Sequence, residues 1–374
     1  MDRVIVIGEG IVGASVAFHL SRSGVSVKTV DSQRDGRATS AGAGIVSPGG
    51  TTSTVPETNL LMAEAFAHYE WLIPYLREHV SADTGFGVVG ELFVALDDRE
   101  LRMLDDVRSV AEQRRNEGVR GIGDVEMLDP RSAQEMFPAL SDIAGAVHIS
   151  GAARIDGRGL RQAMLDAASA HGLERIEGDA TLLVENGSVR GVIADGRRIE
   201  ADAVVLAGGA WTGELTGELG FDVPVEPQRG QIAHLTVPNN ETTNWPILAT
   251  FARNYILTFP TNRVVAGATR EDGSGFDYRL TAGGVHEVLD AAFALANGLR
   301  SATLEDVRIG FRPKSPDGLP ILGQVPGQDR LYLATGHGPA GLSLGAHSGA
   351  MVADLILGND VPIDLSPYRL DRFT

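Results

Sequence analysis

A glycine-rich turn close to the N-terminus has the residue types and spacing of a phosphate-binding site. Gly8, Gly10 and Gly13 form a G-x-G-x-x-G set that encloses Ile11 and Val12. Gly8 permits a sharp turn, Gly10 lets backbone N–H groups approach a pyrophosphate, and Gly13 lets a helix pack on the preceding strand. The N-terminus of that helix attracts phosphate through its partial positive charge and its N–H donors. The set predicts a dinucleotide site, and a plain glycine-rich strand-to-helix turn is the alternative.

Asp31 is the acidic residue that such a dinucleotide site requires. It ends a second apolar run at residues 25–30, so the order along the chain is strand, phosphate turn, helix, strand and acid. A carboxylate at this place accepts hydrogen bonds from a ribose diol and repels a 2′-phosphate, which argues against NADP. The local context therefore supports the dinucleotide interpretation of the glycine set.

The bulk composition excludes several classes of partner. The chain has 374 residues, a net charge of −17 and a pI of about 4.9, so its surface repels nucleic acid and anionic lipid. We find no run of 18 apolar residues and predict no membrane span. The first strand begins at Val4 and leaves no room for a signal peptide, so we expect a cytoplasmic protein.

The reactive side chains are restricted as well. The chain contains no cysteine, which excludes disulfides, thiolate metal sites, iron–sulfur clusters and a cysteinyl link to a flavin. No two histidines have metal-ligand spacing with a carboxylate beside them, so we predict no metal. Lys28 and Lys314 are the only lysines in the sequence.

Strand-and-helix signals of the nucleotide-binding type occur at both ends of the chain and in its middle. Segments with the alternation of antiparallel strands fall between them, which indicates an α/β chain with a discontinuous cofactor domain. We predict a Rossmann-like dinucleotide-binding domain into which a substrate domain of α+β type, with a mixed or antiparallel sheet, is inserted. The predicted ranges are 1–85, 148–215 and 310–374 for the cofactor domain, and 86–147 and 216–309 for the substrate domain.

Four segments together resemble the D-amino-acid oxidase superfamily of FAD enzymes. They are residues 4–31, residues 37–45, residues 204–211 with 227–231, and residues 310–349. The last is the most specific, because it joins a Gly-Phe-Arg-Pro run, a turn with two prolines and a Gly-His-Gly turn. The resemblance points to the branch of D-amino-acid dehydrogenases, glycine oxidases and hydroxyproline dehydrogenases. It implies FAD, bound noncovalently, rather than NAD.

The resemblance also implies where FAD lies. The ADP half is expected on the glycine turn and Asp31, with Gly208 and Trp211 nearby. Thr39 and Ser40 are expected at the pyrophosphate and ribityl region, and Gly44 and Ile45 beside the isoalloxazine ring. A helix N-terminus would stabilise the negative charge of the reduced flavin at its pyrimidine edge. The contacts expected there are Gly336, Gly338, Gly341 and Leu342.

Three residues carry the expected substrate chemistry. The family counterpart of Arg312 pairs with an amino-acid carboxylate, for which a guanidinium is a planar two-pronged donor, and a structural ion pair is the alternative. Tyr255 matches a tyrosine near the substrate carboxylate, and an ordinary core tyrosine is an equal alternative. His337 is a candidate catalytic residue whose backbone we expect to matter more than its side chain.

The resemblance implies oxidation of an amino acid or secondary amine. A hydride passes from the substrate Cα to flavin N5, and the imine hydrolyses to a 2-oxo acid. The strand at residues 263–268 lacks the lysine that related oxidases use for oxygen, which favours a dehydrogenase with a quinone or a partner protein as acceptor rather than O2. An arginine expected after the Gly-His-Gly turn is replaced by Pro339 and Ala340, so a second substrate cation is missing there.

Three other interpretations stay open on the sequence. The same arginine suits an FAD enzyme for a 2-hydroxy acid. The chain is also compatible with a flavin-binding subunit of a multi-subunit amine, opine or hydroxyproline dehydrogenase. A protein that binds no cofactor and serves only in interactions is the remaining alternative.

Overall fold

The computed structural model describes residues 2–50, 55–238 and 241–373. Its strands are numbered here in chain order: β1 Arg3–Ile7, β2 Ser26–Asp31, β3 Ile45–Val46, β4 Gly87–Val88, β5 Glu91–Ala95, β6 Val125–Leu128, β7 Gly145–Ile149, β8 Ala153–Arg154, β9 Glu174–Glu177, β10 Ala180–Glu185, β11 Ser188–Ala194, β12 Arg197–Glu200, β13 Ala203–Leu206, β14 Glu226–Thr236, β15 Ile247–Thr250, β16 Tyr255–Phe259, β17 Arg263–Gly267, β18 Thr303–Lys314, β19 Ile321–Gln324 and β20 Leu331–Thr335.

The α-helices are: α1 Ile11–Arg22, α2 Ala38–Ala41, α3 Pro56–His79, α4 Asp98–Asn116, α5 Pro130–Met136, α6 Gly157–Ala170, α7 Ala282–Leu295 and α8 Gly341–Leu357.

A six-stranded sheet forms the cofactor half, in the order β19-β20-β13-β1-β2-β9. The pairs from β20 to β9 are parallel, and β19 joins antiparallel. Its central strands are short runs of β-branched and aliphatic residues that are buried on both faces, as parallel strands are when helices cover them. Helices α1, α6 and α8 pack together beside this sheet, and the carboxyl ends of β1, β2, β13 and β20 meet at one edge.

An eight-stranded mixed sheet forms the other half, in the order β18-β14-β17-β16-β15-β5-β7-β6. Its pairs are antiparallel except for β15 with β5. The predicted fold class is thereby confirmed. The domain ranges stay a prediction: β7 crosses the boundary at 148 and β18 crosses the one at 310, so two of the four proposed boundaries fall inside strands of this sheet.

Several predicted elements have other bounds in the structure. The alternation of residues 86–96 in the sequence predicts one strand, but the structure forms two, β4 and β5, because Gly90 adopts φ +78° between them. The Asn186-Gly187 pair between two apolar runs predicts a hairpin, and β10 and β11 form it with positive φ at both residues.

One helical segment among the described residues, Gly338–Leu357, is long and apolar enough to cross a membrane. Of its most apolar window, 72% is buried inside the protein, where α8 packs against α1 and α3. It is therefore weak evidence for a membrane span, and a cytoplasmic location stays a prediction.

Three histidines meet where helices α1, α3 and α8 pack together. The ring centroid of His68 lies 5.2 Å from that of His19 and 5.3 Å from that of His347. Burial lowers the pKa of His19 to about 3 and that of His347 to about 4, and it holds the pKa of His68 well below its usual value. The positive charge of Arg22 adds to the shift at His19 and His68. All three rings are therefore neutral at pH 7.

We expect these histidines to make the fold acid-sensitive. Unfolding restores a pKa of about 6.5, so the unfolded chain binds more protons below that pH and stability falls as pH drops. At pH 5 the loss is on the order of 2 kcal/mol for a deeply buried histidine such as His347. Urea unfolding of the FAD-saturated protein at pH 7 and at pH 5 measures this loss in the free energy of unfolding. The His347→Leu variant should lose less stability between the two pH values, and an equal loss would contradict this account.

Candidate active site

A cavity of about 1030 Å³ lies between the carboxyl edge of the six-stranded sheet and one face of the mixed sheet. Ligand pockets usually measure about 300–1000 Å³, so this cavity is large enough for an extended ligand. Its wall runs from the glycine turn after β1 to Tyr255 on β16 and Arg312 on β18. It therefore spans both halves of the fold.

Most of the residues predicted for the site line this cavity. Those that do are Gly8, Gly10, Ile11, Val12, Asp31, Thr39, Gly44, Ile45, Gly208, Trp211, Tyr255, Arg312, His337, Gly338, Gly341 and Leu342. Gly13, Ser40 and Gly336 are not among the described residues of its wall. The cofactor contacts expected of these three residues stay predictions.

Backbone contacts explain the glycines at the phosphate end. Gly8 has φ +100°, and a Cβ there would collide with the carbonyl of Ala207 at the end of β13. A Cβ on Gly13 would collide with the carbonyl of Gly8. Larger residues would push α1 away from the strands, so the glycines fix how closely the helix N-terminus approaches the cavity.

Asp31 holds the turn and faces the cavity. Its Oδ2 accepts a hydrogen bond from the Glu9 N–H at 2.6 Å, and its Oδ1 accepts one from the Gln33 N–H at 2.7 Å. The Ile11 N–H donates to the Thr39 hydroxyl at 2.9 Å, so Thr39 ties α2 to the start of α1. These bonds position the acid and the helix N-terminus before any ligand binds.

Glu9, the variable residue of the glycine set, was not predicted to have a role. Its buried carboxylate accepts hydrogen bonds from Thr29 at 2.6 Å, from Arg161 at 2.9 Å and from Arg175 at 2.7 and 2.5 Å. Burial raises its pKa, but the bonds from Arg175 and Thr29 outweigh burial and hold the pKa below the usual value. The network anchors the phosphate turn to α6 and β9.

Ser40 lies away from the large cavity. It follows Thr39 in the single turn of α2 and lines a small polar recess with Asp156 and Arg158. The carbonyl of Ser40 accepts a hydrogen bond from Arg158 at 2.9 Å. The structure thus brings Thr39 to the cavity, whereas Ser40 belongs to the junction of the two sheets.

His337 is buried at the cavity wall, beside the turn that leads into α8. Burial lowers its pKa to about 4, so the imidazole is neutral at pH 7, and its Nε2 has no hydrogen-bond partner among the described residues. The backbone of His337 bridges to Lys314. Gly336 adopts φ +76° next to it and turns the chain from β20 toward the helix N-terminus.

Arg312 and Tyr255 lie together at the other end of the cavity. The Arg312 guanidinium donates to the Thr269 carbonyl at 3.0 Å, and its charge acts on the hydroxyl of Tyr255. A Cβ on Gly230 would lie 2.5 Å from the guanidinium, so this glycine on β14 makes room for it. Burial raises the pKa of Tyr255, although the charge of Arg312 opposes that rise.

A second guanidinium supplements Arg312 at this end. Arg270 follows β17, lines the same cavity, and donates two bonds of 3.2 Å to the Arg253 carbonyl. Burial lowers its pKa, and the charge of Arg312 adds to that effect, which places the two cations near each other. A second cation therefore lies at this end of the cavity, at the end of β17 rather than after the Gly-His-Gly turn.

Neither lysine serves the cavity. Lys28 pairs with Glu174, and Lys314 pairs with Asp272 at 2.8 Å. No lysine is among the described residues of the cavity wall. Among the described residues, no group of three histidines, aspartates or glutamates lies close enough to hold a metal ion, and the absence of a metal stays a prediction.

Two cavity residues, Arg270 and Glu91, were missed by sequence reasoning. Arg270 follows the strand that pairs with Tyr255, so a search for cations at the end of that strand would have found it. Glu91 is an acid inside an otherwise apolar strand that is buried at every position, and this contrast was its available signal.

The fold and the cavity define a class of protein. A parallel sheet, a glycine turn at a helix N-terminus and an acid after the second strand make a dinucleotide-binding oxidoreductase. The cradle fits FAD, because the start of α1 and the carboxylate of Asp31 line one end of a cavity of about 1030 Å³, which has room for an extended dinucleotide.

The chain belongs to the DAO family of FAD-dependent oxidoreductases, whose model matches residues 3–355. It is 40% identical over 369 residues to the uncharacterized oxidoreductase YurR of Bacillus subtilis, with 98% of both chains covered. It is 32% identical to glycine oxidase of Geobacillus kaustophilus, which covers 99% of this chain and 96% of that one. The crystal structure of iminodiacetate oxidase from Chelativorans sp. BNC1 superposes with a TM-score of 0.94, 39% identity and 98% coverage of both chains.

The family membership confirms the predicted resemblance, FAD as the cofactor, and the class of enzyme. The protein is an FAD-dependent oxidoreductase that acts on amines and amino acids. The roles of the individual site residues stay predictions.

We expect the Asp31→Asn variant to bind FAD about 10- to 100-fold more weakly, because it weakens two charge-assisted hydrogen bonds that shape the turn. Quenching of FAD fluorescence on titration of the apoprotein measures the affinity. Asp290→Asn on the exposed side of α7 is the matched control and should bind FAD like the unaltered protein. Equal FAD affinities for the two variants would show that the charge of Asp31 does not contribute to FAD binding.

Proposed function

We propose that the protein oxidises a small secondary amine or amino acid that carries two carboxylates, a substrate of the iminodiacetate type. The observation that carries this proposal is the pair of guanidiniums, Arg312 and Arg270, beside Tyr255 on one cavity wall. One guanidinium suffices for an α-carboxylate, whereas two neighbouring cations repel each other and are both neutralised by a substrate with two anionic groups.

The residues of the chain supply binding and orientation. Arg312 would hold one carboxylate as a planar two-pronged donor, with the Tyr255 hydroxyl as a further donor. Arg270 would hold the second carboxylate. Gly230 and the Thr269 carbonyl fix the Arg312 guanidinium, so that the substrate is positioned by a preorganised group. FAD, when bound, supplies the acceptor for the hydride that leaves the substrate carbon.

The oxidised product is a C=N compound that takes up water and splits into a 2-oxo acid and an amine. The neutral His337 and the apolar residues of the wall, such as Ile45 and Phe93, restrict water around the reacting carbon.

We propose O2 as the electron acceptor, in place of the quinone or partner protein favoured by the missing lysine. Two chains similar along nearly their whole length are named as oxidases, one of glycine and one of iminodiacetate. The absence of lysine from the described cavity wall therefore carries less weight than this similarity.

The first experiment is anaerobic reduction of the bound flavin by a substrate panel. Iminodiacetate should bleach the flavin faster than glycine, sarcosine, D- or L-alanine or proline, and lactate should not bleach it. Admission of air should restore the colour and produce hydrogen peroxide. Fast bleaching by lactate would favour the 2-hydroxy-acid enzyme, and slow recolouring in air would favour a dehydrogenase.

The two arginines should differ in their effect on specificity. Arg312→Met should lower kcat/KM by about 100-fold or more for every carboxylate substrate, because truncating one partner of a buried charge pair costs about 2–5 kcal/mol. Arg270→Met should lower it by a similar factor for iminodiacetate but by less than about threefold for glycine. Steady-state kinetics with both substrates measures the difference.

Arg197→Met, on the exposed strand β12, is the control for the loss of a positive charge. It should leave both kcat/KM values unchanged. An Arg270→Met variant that loses glycine and iminodiacetate activity equally would contradict the assignment of Arg270 to a second carboxylate.

A further inference from the structure

The segment at residues 269–271, directly after β17, supports both cations of the proposed substrate site. Its Thr269 carbonyl accepts the hydrogen bond that the Arg312 guanidinium donates at 3.0 Å. Its next residue, Arg270, lines the cavity and donates two bonds to the Arg253 carbonyl. A shift of this short segment would therefore move the anchor of one guanidinium and the backbone that carries the other.

Backbone pairing with β14 continues along this segment. The Glu271 N–H donates to the Arg229 carbonyl at 2.9 Å, and the Arg229 N–H donates to the Glu271 carbonyl at 3.1 Å. Side chains alternate between the two faces of paired strands, so Thr269 and Glu271 share the face opposite to that of Arg270. Arg270 belongs to the cavity wall, whereas Thr269 and Glu271 are not among the described residues of that wall.

On the face away from the cavity, the Glu271 carboxylate accepts four hydrogen bonds. Its Oε1 accepts one from the Thr269 hydroxyl at 2.7 Å and one from the Gln231 amide at 2.8 Å. Its Oε2 accepts two from the Arg229 guanidinium, at 3.0 and 2.6 Å. Arg229 and Gln231 lie two residues apart on β14 and are buried, so packing holds the groups that hold Glu271.

A carboxylate is the group that satisfies these partners, because all four of them are donors. Burial raises the pKa of Glu271, but the hydrogen bonds that it accepts outweigh burial and hold the pKa below its usual value. The side chain is therefore ionised at pH 7. A glutamine of the same shape would place its NH2 group, itself a donor, against other donors on one side of its head group.

The Thr269 hydroxyl connects this network to Arg312. It accepts a hydrogen bond from the Gln231 N–H at 2.9 Å and donates one to Glu271, and the residue is fully buried. The same residue presents its carbonyl to Arg312. Bonds on one face of the segment thus fix the orientation of an acceptor that serves the cavity face.

We propose that Glu271 is a positioning residue that holds residues 269–271 so that both guanidiniums meet a dicarboxylate, a role that rests on the function proposed above. Because Glu271 acts through the segment, its loss should weaken the binding of carboxylates. The effect should be greatest for ligands that need both cations, since such ligands lose two well-placed contacts instead of one.

Binding of two unreactive ethers to the FAD-saturated protein tests the proposal. Diglycolate has the shape of iminodiacetate with oxygen in place of nitrogen, and methoxyacetate keeps one carboxylate only. The change in flavin absorbance on titration, or calorimetry, measures both affinities. Glu271→Gln should weaken diglycolate binding about tenfold and methoxyacetate binding about threefold, because a donor facing donors displaces the segment.

The variant should fold, because its neighbours keep other partners. Arg229 also pairs with Asp277 at 3.0 Å, and the Gln231 amide also donates to the Thr281 hydroxyl at 2.9 Å. Dithionite should reduce the bound flavin of Glu271→Gln as it does that of the unaltered protein. Glu305→Gln on β18, an exposed position, is the control for the loss of an acidic charge and should bind both ethers normally.

A second pair of variants removes and restores the hydroxyl in the network. Thr269→Val keeps the shape of the side chain but cannot donate to Glu271, so it should reproduce the pattern of Glu271→Gln. Thr269→Ser keeps the hydroxyl and should lose much less affinity for diglycolate than Thr269→Val does.

A double-variant cycle separates positioning from a general loss of structure. In the Arg270→Met background the second cation is already absent. Glu271→Gln should there weaken diglycolate binding by only about threefold, the factor expected for methoxyacetate. The ratio of kcat/KM for iminodiacetate to that for glycine should fall in Glu271→Gln and stay unchanged in Glu305→Gln.

Several results would overturn the proposal. Equal losses of affinity for the two ethers, or a loss for diglycolate that persists in full in the Arg270→Met background, would leave Glu271 with a general structural role. Unaltered affinities in Glu271→Gln would remove even that role. If diglycolate binds but iminodiacetate does not reduce the flavin of the unaltered protein, the proposed oxidation fails, and the binding results still decide the role of Glu271.

Discussion

The close approach of three strand ends at the glycine turn is the constraint on which the rest of the site depends. The Gly8 N–H donates to the Val30 carbonyl at 2.8 Å, and the Ala207 N–H donates to the Ile7 carbonyl at 2.8 Å. These bonds tie β1, β2 and β13 together at one edge, and the glycines then allow α1 to begin directly above it. Without this contact neither Asp31 nor the helix N-terminus would face the cavity.

One end of the cavity is positively charged, although the whole molecule is strongly negative. The chain carries a net charge of −17, yet the substrate end of the cavity holds Arg253, Arg270 and Arg312. A Debye length of about 8 Å at physiological ionic strength screens the distant surface acids. An anionic ligand in the cavity would therefore meet the potential of these local guanidiniums, whereas the bulk charge disfavours nucleic acid and anionic membranes as partners.

Local signals predicted the parts of the site that local geometry determines. The turn from Gly8 to Gly13, the acid at Asp31 and the Asn-Gly hairpin depend on a few neighbouring residues, and the structure has them where the sequence placed them. Ser40 differs, because one turn of α2 rotates it away from Thr39, and a sequence pattern does not give the direction of a side chain in so short a helix. The fold class followed from the order of the elements along the chain.

The missed residues depend on pairings between distant parts of the chain. Glu91 belongs to the cavity wall because β5 pairs in parallel with β15, about 156 residues later, and this partner could not be read from either strand alone. Arg270 reaches Arg312 because β17 pairs with both β14 and β16. The sequence identifies an acid and an arginine at strand ends, but the sheet order decides that they share a cavity.

Burial acts in opposite ways on the groups of the cavity wall. Arg312 and Arg270 have backbone carbonyls as hydrogen-bond acceptors, which compensate for the loss of water around their charges. At Glu91 burial outweighs the opposing effect of Ser47, and at His337 burial acts unopposed, so it favours the neutral forms of both groups. The wall thus presents cations suited to carboxylates, while two of its buried titratable groups are kept neutral. Since these cations lie in one cavity with the cofactor cradle, the arrangement suits an anionic molecule that binds beside the cofactor.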